Sequence, residues 1–236
     1  MRRYDLVCFD VDGTLVTHPE EKTVWEILNV RFVGTDRLNE QRYRMYRSGE
    51  ISYTEWVALD IGDWARAGAT RETILAEFSE LKLVEGVRET LGALKGAGCR
   101  LAVISGTLDL CLETLFPDHL FDDVYTNRIR FDAEGLIAGW EATPFDMEGK
   151  ARALREIARR EGIPLEKSAF VGDHRNDVAA ARDAGFSIAF NPKSAEIEHA
   201  SDVVIRGGDL RALLPYLLDS AAAAEAPKAG LEGLAS

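Results

Sequence analysis

Asp10 and Asp12 stand one valine apart in Asp10-Val11-Asp12-Gly13-Thr14, directly behind the apolar run Leu6-Val7-Cys8-Phe9. Two more polar strings follow apolar runs in the same manner. Ser105-Gly106-Thr107 follows Leu101-Ala102-Val103-Ile104, and Gly172-Asp173-His174-Arg175-Asn176-Asp177 follows Ala169-Phe170-Val171. Lys150, behind Gly149, opens the helical segment ahead of that third run. On an extended chain residues two apart point to one side, so Asp10 and Asp12 lie ~6.6 Å apart along it. If they meet Asp173 and Asp177 in one pocket, each like-charged pair at ~4 Å costs about 4 kcal/mol at an effective dielectric of ~20. Such a pocket needs a bound cation. Lys150 offsets one charge, and an all-oxygen set without Cys or His pairs nearby suits Mg²⁺, which keeps several waters and coordinates phosphate.

These residue types support phosphoryl transfer. The Asp10 carboxylate can attack phosphorus and carry the phosphoryl group transiently. Asp12 can protonate the leaving oxygen and later take a proton from attacking water. The cation, the Lys150 ammonium, the Ser105 hydroxyl and loop amides would stabilise charge on the transferring group. Taken singly, each piece has a plainer reading: Asp12-Gly13 as a turn, Lys150 as a solvated residue, Asp173 and Asp177 as helix caps, Ser105-Gly106-Thr107 as a tight turn. Their joint placement behind successive buried runs is what those readings fail to reproduce. A calcium loop starting at Asp10 is excluded, because Leu15 stands where the loop's glycine belongs and only Glu21 matches at its end. His18, His119, His174 and His199 have no pairwise spacing for a metal; His174 lies within the third string and can reach a substrate.

The elements that must position these residues alternate in texture. Short continuous apolar runs, including Ser187-Ile188-Ala189-Phe190 and Val203-Val204-Ile205, suit strands covered on both faces. Helix-period segments lie between them at Val87 to Lys95, Leu108 to Leu115, Lys150 to Arg160 and Asp177 to Ala184, several ending at glycine. This predicts an α/β fold with a doubly wound parallel sheet, whose ligands bind beyond the carboxyl ends of the strands.

From about Val16 to Val84 no strand-like run occurs, and helical patterns recur at Val24, Ile27 and Leu28; Tyr43 and Tyr46; Val57, Ile61 and Trp64; Ile74, Leu75 and Phe78. Pro19 suits a first helical turn, Ser52 with Glu55 a capping box, and Thr70 an N-cap. The expected organisation is a discontinuous core of residues 1–15 and 85–219, a helical insertion at 16–84, and a frayed tail at 220–236. Trp25, Trp56 and Trp64 fall in the insertion, where they fill a small core or line a pocket. Asp132-Ala133-Glu134-Gly135 between apolar flanks marks a hairpin, read as a peripheral ribbon of structural interest.

Composition narrows the function classes. Of 236 residues, 28 are Lys or Arg and 40 Asp or Glu, for a formal charge of −12, which disfavours nucleic acid as partner. With 46% hydrophobic and 29% charged residues the chain reads as globular, and neither a membrane span nor a signal peptide is expected. Cys8, Cys99 and Cys111 lack metal or disulfide spacing and read as free thiols in a reducing cytoplasm.

Together, Asp10 to Thr14, the run closing on Ser105, Lys150, and Gly172 to Asp177 resemble the four ordered motifs of the haloacid dehalogenase superfamily of phosphatases, within it the phosphoserine phosphatase-like branch. The resemblance covers nearly the whole chain before the tail. It implies a Rossmann-like core with a helical cap, and a Mg²⁺-dependent phosphatase working through an aspartyl-phosphate on Asp10 with Asp12 as acid and base. It implies Mg²⁺ held by Asp10, the main-chain carbonyl of Asp12 and Asp173, with Asp177 orienting the metal's water or Lys150. Ser105, Gly106, Thr107, Lys150 and Asn176 would contact the phosphate, and Glu20 would match a cap glutamate that meets substrate. The expected partner is a small phosphorylated metabolite, with no membrane and no stable protein partner. The chain departs from the branch in three places. Ala58 stands where a cap arginine would hold an amino-acid carboxylate, Glu20 is one residue further from Asp10, and Ser105-Gly106-Thr107 replaces Ser-Gly-Gly. The substrate stays open, with Trp25, Tyr53 and Trp56 as further candidates for the pocket roof. Phosphoserine hydrolysis proper, 2-haloacid dehalogenation, phosphonate hydrolysis using Lys22 or Lys82, and non-catalytic phosphate-ester binding are the alternatives.

Overall fold

Leu6, Val7, Cys8 and Phe9 are all fully buried, which requires cover on both faces of the strand they form, β1 (Leu6–Phe9). The structure is a computed structural model in which residues 1–219 are described; the expected tail, 220–236, lies outside the described residues. After β1 come β2 (Val16–Thr17), the helices α1 (Val24–Val33), α2 (Arg37–Arg47), α3 (Tyr53–Arg66) and α4 (Arg71–Glu77), and β3 (Lys82–Leu83). The chain continues through α5 (Val87–Gly96), β4 (Arg100–Leu108), α6 (Asp109–Leu115), β5 (Asp123–Phe131) and β6 (Ile137–Glu141). It closes with α7 (Gly149–Glu161), β7 (Ser168–Gly172), α8 (Val178–Asp183), β8 (Phe186–Phe190), α9 (Ala195–Ala200), β9 (Val203–Ile205) and α10 (Leu214–Leu217).

Seven strands form one sheet in the order β6-β5-β4-β1-β7-β8-β9, parallel except for β6. The winding reverses at β1, so the pocket beyond Phe9 is where a ligand belongs. Register sets the height of the three polar strings: Phe9 lies opposite Val103 on one side and Val171 on the other. Alternate residues feed two cores. Val7 and Phe9 pack into one that includes Leu91 and Leu94 of α5 and Leu110 of α6, while Leu6 and Cys8 pack with Leu154 and Ile157 of α7 and Ala180 of α8.

Helices α1 to α4 lie between β2 and β3, which pair antiparallel as Val16↔Leu83 and Thr17↔Lys82. Two short strands thus stand at the ends of a stretch expected to be free of them; two residues are too few to leave an apolar run. Thr23 with Glu26, Ser52 with Glu55 and Thr70 with Thr73 form reciprocal caps that start α1, α3 and α4. Pro19 sits in a turn rather than a helix, because the capping threonine of α1 comes four residues later. Trp64 is fully buried, 5.1 Å from the Trp25 ring, and donates from Nε1 to Asn29 Oδ1 at 2.8 Å.

Two expectations need correction. β4 does not end at Ile104 but runs through Ser105-Gly106-Thr107 to Leu108, with a register irregularity between Ile104 and Leu108. The hairpin is not peripheral. β5 is the parallel neighbour of β4 in the main sheet, and its turn reaches the insertion, where Arg71 donates its N–H to the Gly135 carbonyl at 2.8 Å. Alternation in β5 from Asp123 onward is broken by polar Thr126 and Asn127, both buried, which hid the strand from a hydrophobic count.

Candidate active site

Tertiary folding brings Asp10, Asp173 and Asp177 together, with one carboxylate oxygen from each lying within 4.8 Å of the others. Asp10 leaves β1 with its N–H bonded to the Val171 carbonyl at 2.9 Å. Lys150, fully buried in the first turn of α7, extends Nζ to Asp10 Oδ1 at 2.7 Å and to Asp177 Oδ1 at 2.6 Å. Burial alone would lower the pKa of this ammonium; Asp10, Asp177 and Asp146 outweigh it and raise it well above the usual lysine range.

Asp177 is fully engaged within the protein. Its second oxygen accepts from the N–H groups of Asp173 and His174 at 2.9 and 3.1 Å, so it fixes Lys150 and the turn behind β7. Burial pushes its carboxyl up to about 6. Asp173 is raised well above the normal carboxyl range by burial and then by Asp10 and Asp177, and its buried Oδ1 has no hydrogen-bond partner. An orphaned buried carboxylate oxygen in an all-oxygen acidic group is a fitting place for a hard divalent cation. Gly13, at φ +84°, makes the approach possible, since a Cβ there would run into Asp173 Oδ2.

Asp12 lines the same cavity and accepts weakly from Val24 N–H, at the start of α1, at 3.4 Å. Burial, followed by the charge on Asp10, pushes its carboxyl up to about 7, where a group both gives and takes a proton at neutral pH. The peptide joining Gly106 and Thr107 is held at both ends. The Gly106 carbonyl accepts from Trp25 Nε1 at 2.7 Å and Asn127 Nδ2 at 2.6 Å, and the Thr107 N–H donates to Ser105 Oγ at 3.2 Å. The Ser105 hydroxyl proton stays available for a ligand.

These groups open on a cavity of about 370 Å³ lined by Asp10, Asp12, Ser105, Gly106, Thr107, Asp173 and Asn176 on the sheet side, and roofed by α1, α2 and α3. Trp25, Tyr53 and Trp56 line the roof as expected, whereas Ala58 does not. Glu20 is not brought to the site: it is exposed and paired with Lys22 at 2.7 Å, because the turn at Pro19 directs it outward, and Glu21 lines the cavity instead. His174 lines it too, its pKa lowered first by burial and then by Arg175 and Lys193.

Several participants went unread in the sequence. Asp146 accepts from Asn176 Nδ2 at 3.2 Å and lies 4.0 Å from Lys150 Nζ, close enough to Gly106 that a Cβ there would collide with it. Its position four residues before Lys150 was the available signal. Lys193 approaches Asp173 Oδ2 to 3.6 Å and follows the end of β8, the same sheet edge as the other polar strings. Asn127 left no pattern, being one polar residue within a strand.

Comparison with known proteins agrees with this geometry. The haloacid dehalogenase-like hydrolase family model matches residues 4–185. The chain is 34% identical over 199 residues to phosphoserine phosphatase SerB2 of Mycobacterium tuberculosis, covering 83% of this chain and 47% of that protein. It is 34% identical over 192 residues to the phosphoserine phosphatase of Archaeoglobus fulgidus, covering 81% and 54%. The chain thus spans about half the length of these two relatives, while it matches 99% of the Methanocaldococcus jannaschii phosphoserine phosphatase at 27% identity over 216 residues. A solved structure of a phospho-aspartyl intermediate analogue of phosphoserine phosphatase superposes with a TM-score of 0.72 at 25% identity, covering 92% of this chain and 100% of that one. The chain belongs to the haloacid dehalogenase-like hydrolases, in the branch of its phosphoserine phosphatase relatives. Among the described residues no helix is long and apolar enough to cross a membrane.

Proposed function

We propose that this chain is a Mg²⁺-dependent phosphomonoesterase for a small phosphorylated metabolite, with 1–15 and 85–219 as the core and 16–84 as a cap over its cavity. The observation that carries it is Asp10, held by Lys150 at 2.7 Å, sharing a cavity with Asp12 and with the partnerless oxygen of Asp173. One Asp10 oxygen accepts from Lys150, and the other attacks phosphorus; the bond between phosphorus and the ester oxygen breaks. Asp12, protonated at first, gives its proton to the departing alkoxide. A water then attacks the phosphorus of the aspartyl-phosphate, losing its proton to Asp12, and inorganic phosphate leaves with Asp10 restored. Ser105 and Lys150 contact the phosphoryl oxygens, and Asn176, fixed by Asp146, assists. Asp10, Asp173 and the Asp12 carbonyl would hold Mg²⁺, which when bound neutralises phosphoryl charge. Roofing by α1 to α3 keeps bulk water from the intermediate.

Two other readings have less support. Imine chemistry on a phosphonate needs a cap amine, and Lys22 is paired with Glu20 outside the cavity lining. Dehalogenation leaves Asp12 without a task, and simple binding leaves both Asp12 and Lys150 without one. Release of phosphate from p-nitrophenyl phosphate is expected to require Mg²⁺ and to vanish in Asp10→Asn; equal activity of the variant and wild type would refute the nucleophile.

A further inference from the structure

The roof of the cavity has a marked charge pattern. Helices α1 to α3 and the segment leading to them contribute the carboxylates of Glu21, Glu26, Glu40 and Asp60 to the lining, and no lysine or arginine. Among the described residues two cations line the cavity, both from core loops, and both are engaged. Lys193 faces Asp173 at 3.6 Å, while Arg175 bonds Glu40 at 3.0 Å with its guanidinium 3.6 Å from the Tyr43 ring centroid. Arg42 is bonded to Asp60 and Asp63 and does not line the cavity. Among the described residues the roof offers an anionic leaving group no cationic side chain, only neutral donors such as the Asn39 amide and the Tyr43 hydroxyl.

Asp60 supplies the second observation. It is fully buried, it lines the cavity, and although Oδ1 accepts from Arg42 and Asn29, its Oδ2 has no partner at hydrogen-bond geometry, the Trp56 indole being the donor beside the carboxylate. Burying a carboxylate oxygen without a donor is costly unless a ligand supplies one. Beside it Trp56 stands at the centre of an aromatic group, 6.3 Å from the rings of both Tyr43 and Tyr53. Aromatic faces beside a carboxylate attract cations, and Arg175 on Tyr43 shows this roof already holding one.

We infer that the cavity takes a phosphomonoester whose leaving alcohol carries an ammonium group, primary or quaternary, and no carboxylate; this rests on the phosphatase reading above. The ammonium sits against Trp56 with Asp60 and Glu21 as its counter-charges, and a carboxylate in that place is repelled by both. Burial raises the pKa of Asp60 against the pull of Arg42, a shift that an arriving cation reverses.

The test is kcat/KM of the full chain with Mg²⁺ on O-phosphoethanolamine, phosphocholine, glycerol 1-phosphate, 3-phosphoglycerate and O-phosphoserine, with p-nitrophenyl phosphate as the control for phosphatase chemistry. At least one ammonium ester is expected to exceed glycerol 1-phosphate, 3-phosphoglycerate and O-phosphoserine by about tenfold. Asp60→Asn is expected to narrow its advantage over glycerol 1-phosphate through KM, and Glu21→Gln, on an exposed side chain, to do so without the folding risk of a buried site. Equal kcat/KM across the esters overturns the inference. So does O-phosphoserine or 3-phosphoglycerate as the best ester; in both cases phosphatase chemistry stands. No turnover of any ester, the nitrophenyl control included, overturns the phosphatase reading together with the inference.

Discussion

Lys150 has no exposed surface and sits between two carboxylates, so its charge is held in place by Asp10 and Asp177 and they by it. Removing one partner of a buried ionic group leaves the rest uncompensated. Lys150→Met is therefore expected to lower unfolding stability by about 3–5 kcal/mol in urea titrations, besides abolishing turnover. An unchanged midpoint would mean that the two carboxylates find other compensation. The residues of the three polar strings were legible beforehand because a carboxylate or hydroxyl directly behind a buried strand has few plain uses, and Lys150 because it opens the helix ahead of the third. Glu20 was misplaced because its neighbour Glu21 has the same chemistry, and only the turn after His18 decides which of the two faces inward.

At the level of elements, Asn127 ties four segments together. From within β5 it donates to the Gly106 carbonyl and to the Tyr53 hydroxyl at 2.8 Å, and its Oδ1 accepts from Thr143 N–H at 2.8 Å. It thereby links the irregular end of β4 at Gly106 to α3. Misplacing a segment that lines an active site by about 1 Å can cost on the order of a hundredfold in rate. Asn127→Ala is expected to lower kcat on p-nitrophenyl phosphate by about tenfold or more with a smaller change in KM, and stopped-time phosphate assays would show it. A variant that lost stability but kept kcat would reduce Asn127 to a structural bond. Helix starts in the insertion were readable at Ser52 and Thr70, since a capping box is a local signal. The reach of β5 into the main sheet was not, because parallel pairing with β4 depends on a partner some twenty residues away.

For the whole molecule, a cation taken by the acidic group at the switch point, as proposed, would be linked to folding. A ligand that binds the folded chain alone stabilises it by about 2.7 kcal/mol at a hundred times its dissociation constant. Mg²⁺ is expected to raise the thermal midpoint of the wild-type chain, and to do so far less in Asp173→Asn, by calorimetry without substrate. An equal rise in the variant would place the cation elsewhere.

The sequence by itself determined the class of chemistry: Asp10 and Asp12, Lys150, the polar strings behind the strands and the α/β core follow from residue type, apolar runs and their ends, all of which are local properties. Only the tertiary structure decided that Asp146 and Lys193 join the site, that Asp60 and Glu21 rather than Glu20 line the cavity, and that β5 braces the end of β4. These depend on how α1 to α3 pack over the sheet and on which way each side chain then points, and neither is encoded in the spacing of residues along the chain.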